Sequence, residues 1–224
     1  MSQTLSANDF IAMLHGAGAT IREHAAELTR LDSLTGDGDH GTAMLRAMDA
    51  VEQAIAEHAD AGPGTMLTKA GWAVMSAAGG STGPLLGSFL MGMGATLTGN
   101  RPLDGTVLAA ALRGGISQMH KQSKAQIGDR TMMDALLPAA AAMDAAAPDA
   151  SPADLLKLAA AAGAAGAAAT QGMHAKFGRA RNLGDRVLGH ADPGATSMAL
   201  ILAGFSDGVS PAAIGGALPV NRED

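Results

Sequence analysis

The segment from residue 31 to 41, Leu-Asp-Ser-Leu-Thr-Gly-Asp-Gly-Asp-His-Gly, places three carboxylates within eight positions. Carboxylates this close repel one another unless a cation lies between them. The glycines on both sides of Asp37 permit tight bends that could turn Asp32, Asp37 and Asp39 toward one point. Hard cations such as Mg²⁺ prefer oxygen ligands and usually keep positions for substrate phosphates. The pattern predicts a metal site, with an acidic turn that merely caps the next helix as the alternative.

Two further segments carry residues suited to phosphate chemistry. Gly79-Gly80-Ser81-Thr82-Gly83 directly precedes a predicted helix, where backbone N–H groups, the positive helix end and two hydroxyls could hold a phosphate. It lacks the lysine of a Walker loop, and a flexible helix breaker is the equally weighted alternative. Residues 176–186 bring four cations together in an acidic chain. Of these, Arg179 is the candidate for stabilising charge on a transferring phosphoryl group, and solvated loop charges are the preferred interpretation of the others.

The bulk composition is that of a globular chain. Its 224 residues are 47% hydrophobic and 16% charged, which predicts one domain over 1–224 with an uninformative, loose tail after about residue 207. A net charge of −6 argues against a nucleic-acid partner, and no apolar run is long enough to predict a membrane span. The polar start is not typical of a signal peptide, so the cytoplasm is the simplest expected location.

Apolar residues recur at helical spacing along almost the whole chain, and strand signals are nearly absent, so the sequence predicts an all-α fold. Eight helices joined by short loops should alternate in direction as an antiparallel bundle. Loops 1–2, 3–4, 5–6 and 7–8 then share one end. These four loops contain the aspartates, the Gly-Ser-Thr segment, residues 123–129 and residues 177–194. The arrangement predicts an active site at that end.

Four blocks of the chain, taken together, resemble the nucleotide-binding L subunit of dihydroxyacetone kinases. They follow the family's order and extend over nearly the whole sequence, as residues 31–41, 79–84, 128–132 and 178–196. The resemblance implies an eight-helix antiparallel barrel with the nucleotide at one end, in agreement with the helix count. It also implies that Asp32, Asp37 and Asp39 hold a pair of Mg²⁺ ions that bridge the phosphates of ADP or ATP.

By the same resemblance, residues from all four special loops form the nucleotide pocket. The implied contacts are His40, Gly41, Thr42, Ser81, Thr82, Ser123, Met132, Arg179, Asp192, Pro193 and Gly194. Arg179 is in addition the candidate catalytic residue. The chain departs from the family's pattern at Ala43, which stands where asparagine is common, at Ser123, where glycine is frequent, and at Arg130, which replaces a frequent lysine.

In this family the ketose binds covalently to a histidine of a separate K subunit or domain, so the chain is interpreted as half of a kinase. The phosphoryl donor is left open between ATP and a phosphotransferase-system phosphocarrier that rephosphorylates bound ADP. The ketose is left open between dihydroxyacetone and erythrulose, and a homodimer is not decided. The alternatives are a nucleotide-sensing regulatory module that binds a transcription factor, or the nucleotide domain of a fatty-acid-kinase-like enzyme.

Overall fold

A computed structural model describes residues 4–99 and 101–210 of the chain. Within these ranges the chain forms eight α-helices and no β-strand, which confirms the predicted all-α fold. The helices are α1 (Ala7–Thr35), α2 (His40–His58), α3 (Pro63–Ala77), α4 (Thr82–Thr96), α5 (Gly105–His120), α6 (Met133–Asp144), α7 (Pro152–Ala169) and α8 (Pro193–Gly208). The tail predicted after residue 207 falls largely on residues 211–224, outside the described residues.

Local capping signals start three helices where the sequence predicts them. Ser6 accepts the backbone N–H of Asp9, and the Asp9 carboxylate accepts the backbone N–H of Ser6, which completes a capping box at α1. The Ser151 and Asp192 side chains cap α7 and α8 in turn, and a proline follows each cap.

The end of α1 differs from the prediction. The sequence places residue 32 in a loop, whereas the helix continues through Thr35. The reason is that Leu28, Leu31 and Thr35 continue the buried face of the helix at spacings of three and four residues. Asp32 therefore projects from the last turn of a rigid element.

Consecutive helices pack against each other, and α8 packs back onto α1, so the eight helices form a closed antiparallel barrel. The barrel encloses a core built mainly from aliphatic side chains and methionine. In the described part of the chain, no helix combines the length and the apolar character that a bilayer crossing requires.

The contact that closes the barrel is made of backbone. A Cβ atom built on Gly204 of α8 would lie 2.5 Å from the carbonyl oxygen of Gly16 in α1, and a Cβ on Gly16 would collide with the carbonyl of Gly204. Because only hydrogen is present at both positions, α1 and α8 approach more closely than side chains would allow.

We expect Gly204→Ala to lower the free energy of unfolding by about 1–3 kcal/mol, because the new methyl group has no room against α1. In an open helix the same change should stabilise by about 1 kcal/mol. Gly172→Ala is the matched control, since a Cβ there meets no atom within 4 Å. Urea denaturation of both variants checks the prediction, and a Gly204→Ala protein as stable as wild type would contradict it.

Candidate functional site

One end of the barrel carries a cavity of about 690 Å³. Its lining comes from all four loops that helix parity predicts for this end, in residues 32–40, 80–85, 122–132 and 177–194. The predicted meeting of these loops is confirmed. A second cavity, of about 770 Å³, lies between the loops at the opposite end, and its described lining contains no carboxylate. The chemically equipped cavity is therefore the first one, whose volume suits a small-molecule ligand.

The three aspartates meet at this cavity. Asp32, Asp37 and Asp39 each offer a carboxylate oxygen that lies within 4.8 Å of the other two. The Oδ2 atom of Asp32 accepts the backbone N–H of Asp39 at 2.9 Å and that of His40 at 3.2 Å. Asp39 occupies the N-cap position of α2, but its side chain makes no capping hydrogen bond. Helix capping is thus done by Asp32, and the exposed Asp37 and Asp39 remain as oxygen donors of the kind that Mg²⁺ prefers.

Arg179 reaches this cluster from the loop before α8, where it begins a 3-10 segment, Arg179–Val187. Its Nη1 atom pairs with Oδ2 of Asp37, and the two side chains are 66% and 42% exposed. An ion pair this exposed contributes little to stability, because water screens it. The guanidinium can therefore exchange the Asp37 carboxylate for an anionic ligand at low cost.

His40, the first residue of α2, lies buried at the inner side of the cavity. Its Nε2 atom lies 3.1 Å from Oγ of Ser197, and its Nδ1 atom lies 3.3 Å from Oγ1 of Thr82. The Ser197 hydroxyl donates to the Gly194 carbonyl, so it accepts from Nε2–H, and Nδ1 is left to accept from Thr82. Burial lowers the pKa of His40, although two nearby aspartates oppose the shift. The neutral ring therefore fixes the starts of α2, α4 and α8 relative to one another.

Asp192 caps α8 on the opposite wall of the cavity. Its Oδ2 atom accepts the N–H of Ala195 at 2.8 Å, and its own N–H donates to Oγ1 of Thr170 at 2.8 Å. Burial raises the pKa of Asp192 to about 6, although the Ala195 N–H and Arg130 oppose the rise. Because the folded state favours the protonated acid, this group's contribution to stability is present at low pH and is lost as the pH rises through about 6.

Most of the predicted nucleotide contacts line this cavity. The lining members are His40, Ser81, Thr82, Ser123, Met132, Arg179, Asp192, Pro193 and Gly194. Gly41 and Thr42 lie outside the lining. Gly41 is buried where a side chain would collide with the carbonyl of Ala25 in α1, and Thr42 is exposed on the outer face of α2. In this structure Gly41 serves the packing of α2 on α1.

Sequence reasoning missed Asp134, which shapes the cavity wall from the first turn of α6. It is buried, and its carboxylate accepts the N–H groups of Gly128 at 2.6 Å and Thr131 at 2.7 Å. The Thr131-x-x-Asp134 spacing of a capping box is the signal that identifies it. Lys176, in the loop before α8, contacts the loop between α5 and α6. Its ammonium donates to Asp129 at 2.6 Å and lowers the pKa of that carboxyl.

Comparison with known proteins agrees with this architecture. The family model described as the DAK2 domain matches residues 34–207, and the chain belongs to this family. The chain is 35% identical, over 85% of its length and 89% of the relative's, to the ADP-binding subunit DhaL of PEP-dependent dihydroxyacetone kinase 2 from Listeria innocua serovar 6a. The predicted resemblance to dihydroxyacetone kinase L subunits is thereby confirmed.

Two longer proteins contain a region similar to this chain. D-erythrulose kinase of Mycolicibacterium smegmatis is 37% identical over 82% of the chain, which spans 32% of that enzyme. The crystal structure of the dihydroxyacetone kinase from C. freundii in complex with AMP-PNP and Mg²⁺ superposes with a TM-score of 0.67 at 26% identity. That match covers 92% of this chain and 35% of the solved one, so the chain spans about a third of both proteins.

We expect Asp134→Ala to lower the free energy of unfolding by about 1–3 kcal/mol, because the N–H groups of Gly128 and Thr131 lose their acceptor. Asp134→Asn should fall between this variant and wild type, since one amide oxygen can replace only part of the carboxylate. Asp144→Ala, at the exposed end of the same helix, is the control and should cost under about 1 kcal/mol. Thermal denaturation measures all three, and equal effects at positions 134 and 144 would refute the assigned role.

Proposed function

We propose that the chain is the nucleotide-binding subunit of a ketose kinase, which presents a terminal phosphoryl group to a ketose held by a separate K-type subunit. The observation that carries this proposal is the convergence of the three aspartates, the Ser81 and Thr82 hydroxyls and Arg179 on one cavity. The relative named as an ADP-binding subunit, which the chain matches over most of both lengths, supports the same function.

Asp32, Asp37 and Asp39 would hold the magnesium, as a pair of ions in our proposal, because three carboxylate oxygens at this separation form a hard-ligand set. When bound, Mg²⁺ neutralises phosphate charge and so favours phosphoryl transfer. The solved neighbour with AMP-PNP and Mg²⁺ supports this choice of metal and ligand class. Asp32 keeps its bonds to the start of α2, so it would offer its remaining lone pairs, whereas the two exposed aspartates would turn toward the metal.

The start of α4 is the proposed phosphate-binding element. Ser81 is exposed and Thr82 is buried at the first turn of this helix, where backbone N–H groups have no partner within the helix. His40 fixes the Thr82 hydroxyl from behind. Met132, Pro193 and Gly194 form a compact wall on which the nucleoside would lie. Each of these contacts orients the nucleotide with its phosphates toward the aspartates.

Arg179 is the proposed catalytic residue. It lies at the open side of the cavity, where it pairs with Asp37. On phosphoryl transfer the negative charge spreads over the equatorial oxygens, and a guanidinium beside them stabilises the transition state more than the bound ground state. Arg179 would leave Asp37 for those oxygens when the metal takes over the carboxylate.

The acceptor would come from the K-type partner, docked over the open side of the cavity, because in-line transfer requires donor and acceptor oxygens to be held close together. Related proteins named for dihydroxyacetone and for erythrulose leave both ketoses as candidates. The relative named as PEP-dependent favours a phosphocarrier that recharges bound ADP over exchange of ATP. The regulatory-module and fatty-acid-kinase-like alternatives have no comparable support.

We expect Asp39→Asn to weaken magnesium-dependent ADP binding about 100-fold or more, because one metal–carboxylate interaction is lost. The unfolding free energy without metal should stay at or slightly above the wild-type value, since a repulsive charge is removed. Asp60→Asn, which removes an exposed carboxylate at the opposite end of the barrel, is the matched control. Calorimetric titration with and without Mg²⁺ tests the assignment, and an unchanged ADP affinity in Asp39→Asn would disprove it.

We expect the purified chain to form no dihydroxyacetone phosphate from Mg-ATP and dihydroxyacetone until a K-type subunit is added. In the reconstituted reaction Arg179→Ala should lower kcat about 100-fold or more while ADP affinity changes much less. Arg181→Ala, in the same segment and exposed, should behave as wild type. Robust product from the isolated chain would contradict the two-subunit proposal, and normal turnover in Arg179→Ala would return Arg179 to the status of a solvated surface charge.

A further inference from the structure

Arg130 has a strained backbone beside the cavity. It has a φ of +60°, and no other non-glycine residue in the described ranges has a positive φ. A side chain in this left-handed region costs about 1 kcal/mol or more, and such residues cluster at functional sites. Glycine adopts a positive φ without this cost, so the strain comes from the presence of a side chain at position 130.

The Arg130 side chain is fully buried and incompletely paired. Its Nη2 atom donates to the carbonyl oxygen of His190 at 3.0 Å, and its Nη1 atom lies 3.5 Å from Oδ1 of Asp192. Among the residues that the structure describes, Nε and Nη1 have no hydrogen-bond acceptor. Burial lowers the pKa of Arg130, and Asp192 opposes the shift. A buried guanidinium with unpaired donors loses its hydration without full replacement by protein acceptors, so its net contribution to folding stability is small.

Arg130 connects two walls of the cavity. It belongs to the loop between α5 and α6, whereas His190 and Asp192 belong to the segment that leads into α8. Asp192 is itself buried; the nearby charge of Arg130 lowers the pKa of its carboxyl, and the like charge of Asp134 in α6 raises it. Without Arg130 this carboxylate would have backbone N–H groups as its favourable partners but no cation.

We propose that Arg130 is the positioning residue of the nucleotide-binding wall, holding residues 190–194 in the conformation that receives the nucleotide. The inference rests on the proposed nucleotide site. Arg130 acts through His190 and Asp192, which directly precede Pro193 and Gly194 of the cavity lining. Gly194 in turn lies against Met132 of the Arg130 loop, since a Cβ built on Gly194 would meet Met132 Cγ at 3.1 Å. The loop between α5 and α6 therefore contacts the segment before α8 at two places, through Arg130 and through Met132.

The test is Arg130→Met, which keeps the length and the backbone strain but removes the charge and the donors. We expect Mg-ADP to bind about 10- to 100-fold more weakly, because the wall is displaced from its binding geometry. Thermal stability, measured at pH 5 where Asp192 is protonated and needs no cation, should be unchanged or higher. Arg130→Lys should restore part of the affinity, since one ammonium can reach Asp192 or His190 but not bridge both as the guanidinium fork does. Arg181→Met, an exposed cation at the same end, is the matched control and should leave both quantities at wild-type values.

A second measurement tests whether Arg130 acts on Asp192, and an unchanged titration midpoint of Asp192 in Arg130→Met would overturn the inference. In Arg130→Met, ¹³C NMR of the Asp192 carboxyl should show a midpoint above the wild-type value of about 6, because the cation that favours its charged form is gone. Wild-type affinity for Mg-ADP in Arg130→Met would overturn this inference but leave the proposed function intact. Lost affinity that parallels a lower melting temperature, without rescue by lysine, would also overturn it. A wild-type chain that fails to bind Mg-ADP would overturn the proposed function and this inference together.

Discussion

Repulsion among three carboxylates is the constraint on which the site depends. Asp32, Asp37 and Asp39 lie within 4.8 Å of one another next to the carboxyl end of α1, which is itself the negative end of a helix. The protein offsets part of this repulsion by giving Asp32 two N–H donors from α2 and by placing Arg179 against Asp37. Neither of these contacts involves the Asp39 carboxylate. A divalent cation, as proposed above, would offset the repulsion among all three at once.

The barrel topology places the starts of four helices directly beside this cluster of aspartates. In a ring of alternating helices, every even-numbered helix begins at the same end, and here those starts surround the cavity. They are His40, Thr82, Met133 and Pro193. Helix starts carry partial positive charge, and the start of α4 has no side-chain cap on its N–H groups, which suits phosphate oxygens. The proposed metal–phosphate ligand would therefore meet negative charge at the end of α1 and positive charge at the helix starts.

Periodicity and helix parity suffice to predict the eight helices and the meeting of the four loops, because both depend on residues near one another in sequence. Features that arise from contacts distant in sequence could not be predicted in the same way. Arg130 meets His190 sixty positions away, and its positive φ contradicts the preference of arginine. Gly41 lies in a motif that resembles nucleotide contacts, whereas its neighbours in space show that it packs on α1. The close approach of α1 and α8 is likewise a property of the closed ring and not of either helix.

Burial divides the cavity into a fixed inner part and an adaptable outer part. Five buried polar groups of the lining have contacts to a different segment of the chain: Asp32, His40, Thr82, Arg130 and Asp192. The groups that would touch the transferring phosphoryl, Asp37, Asp39, Ser81 and Arg179, are exposed. An exposed phosphoryl group loses much of the electrostatic stabilisation that a dry site provides and lies open to attack by water. A partner docked over these residues would exclude that water and bring the acceptor in the same step.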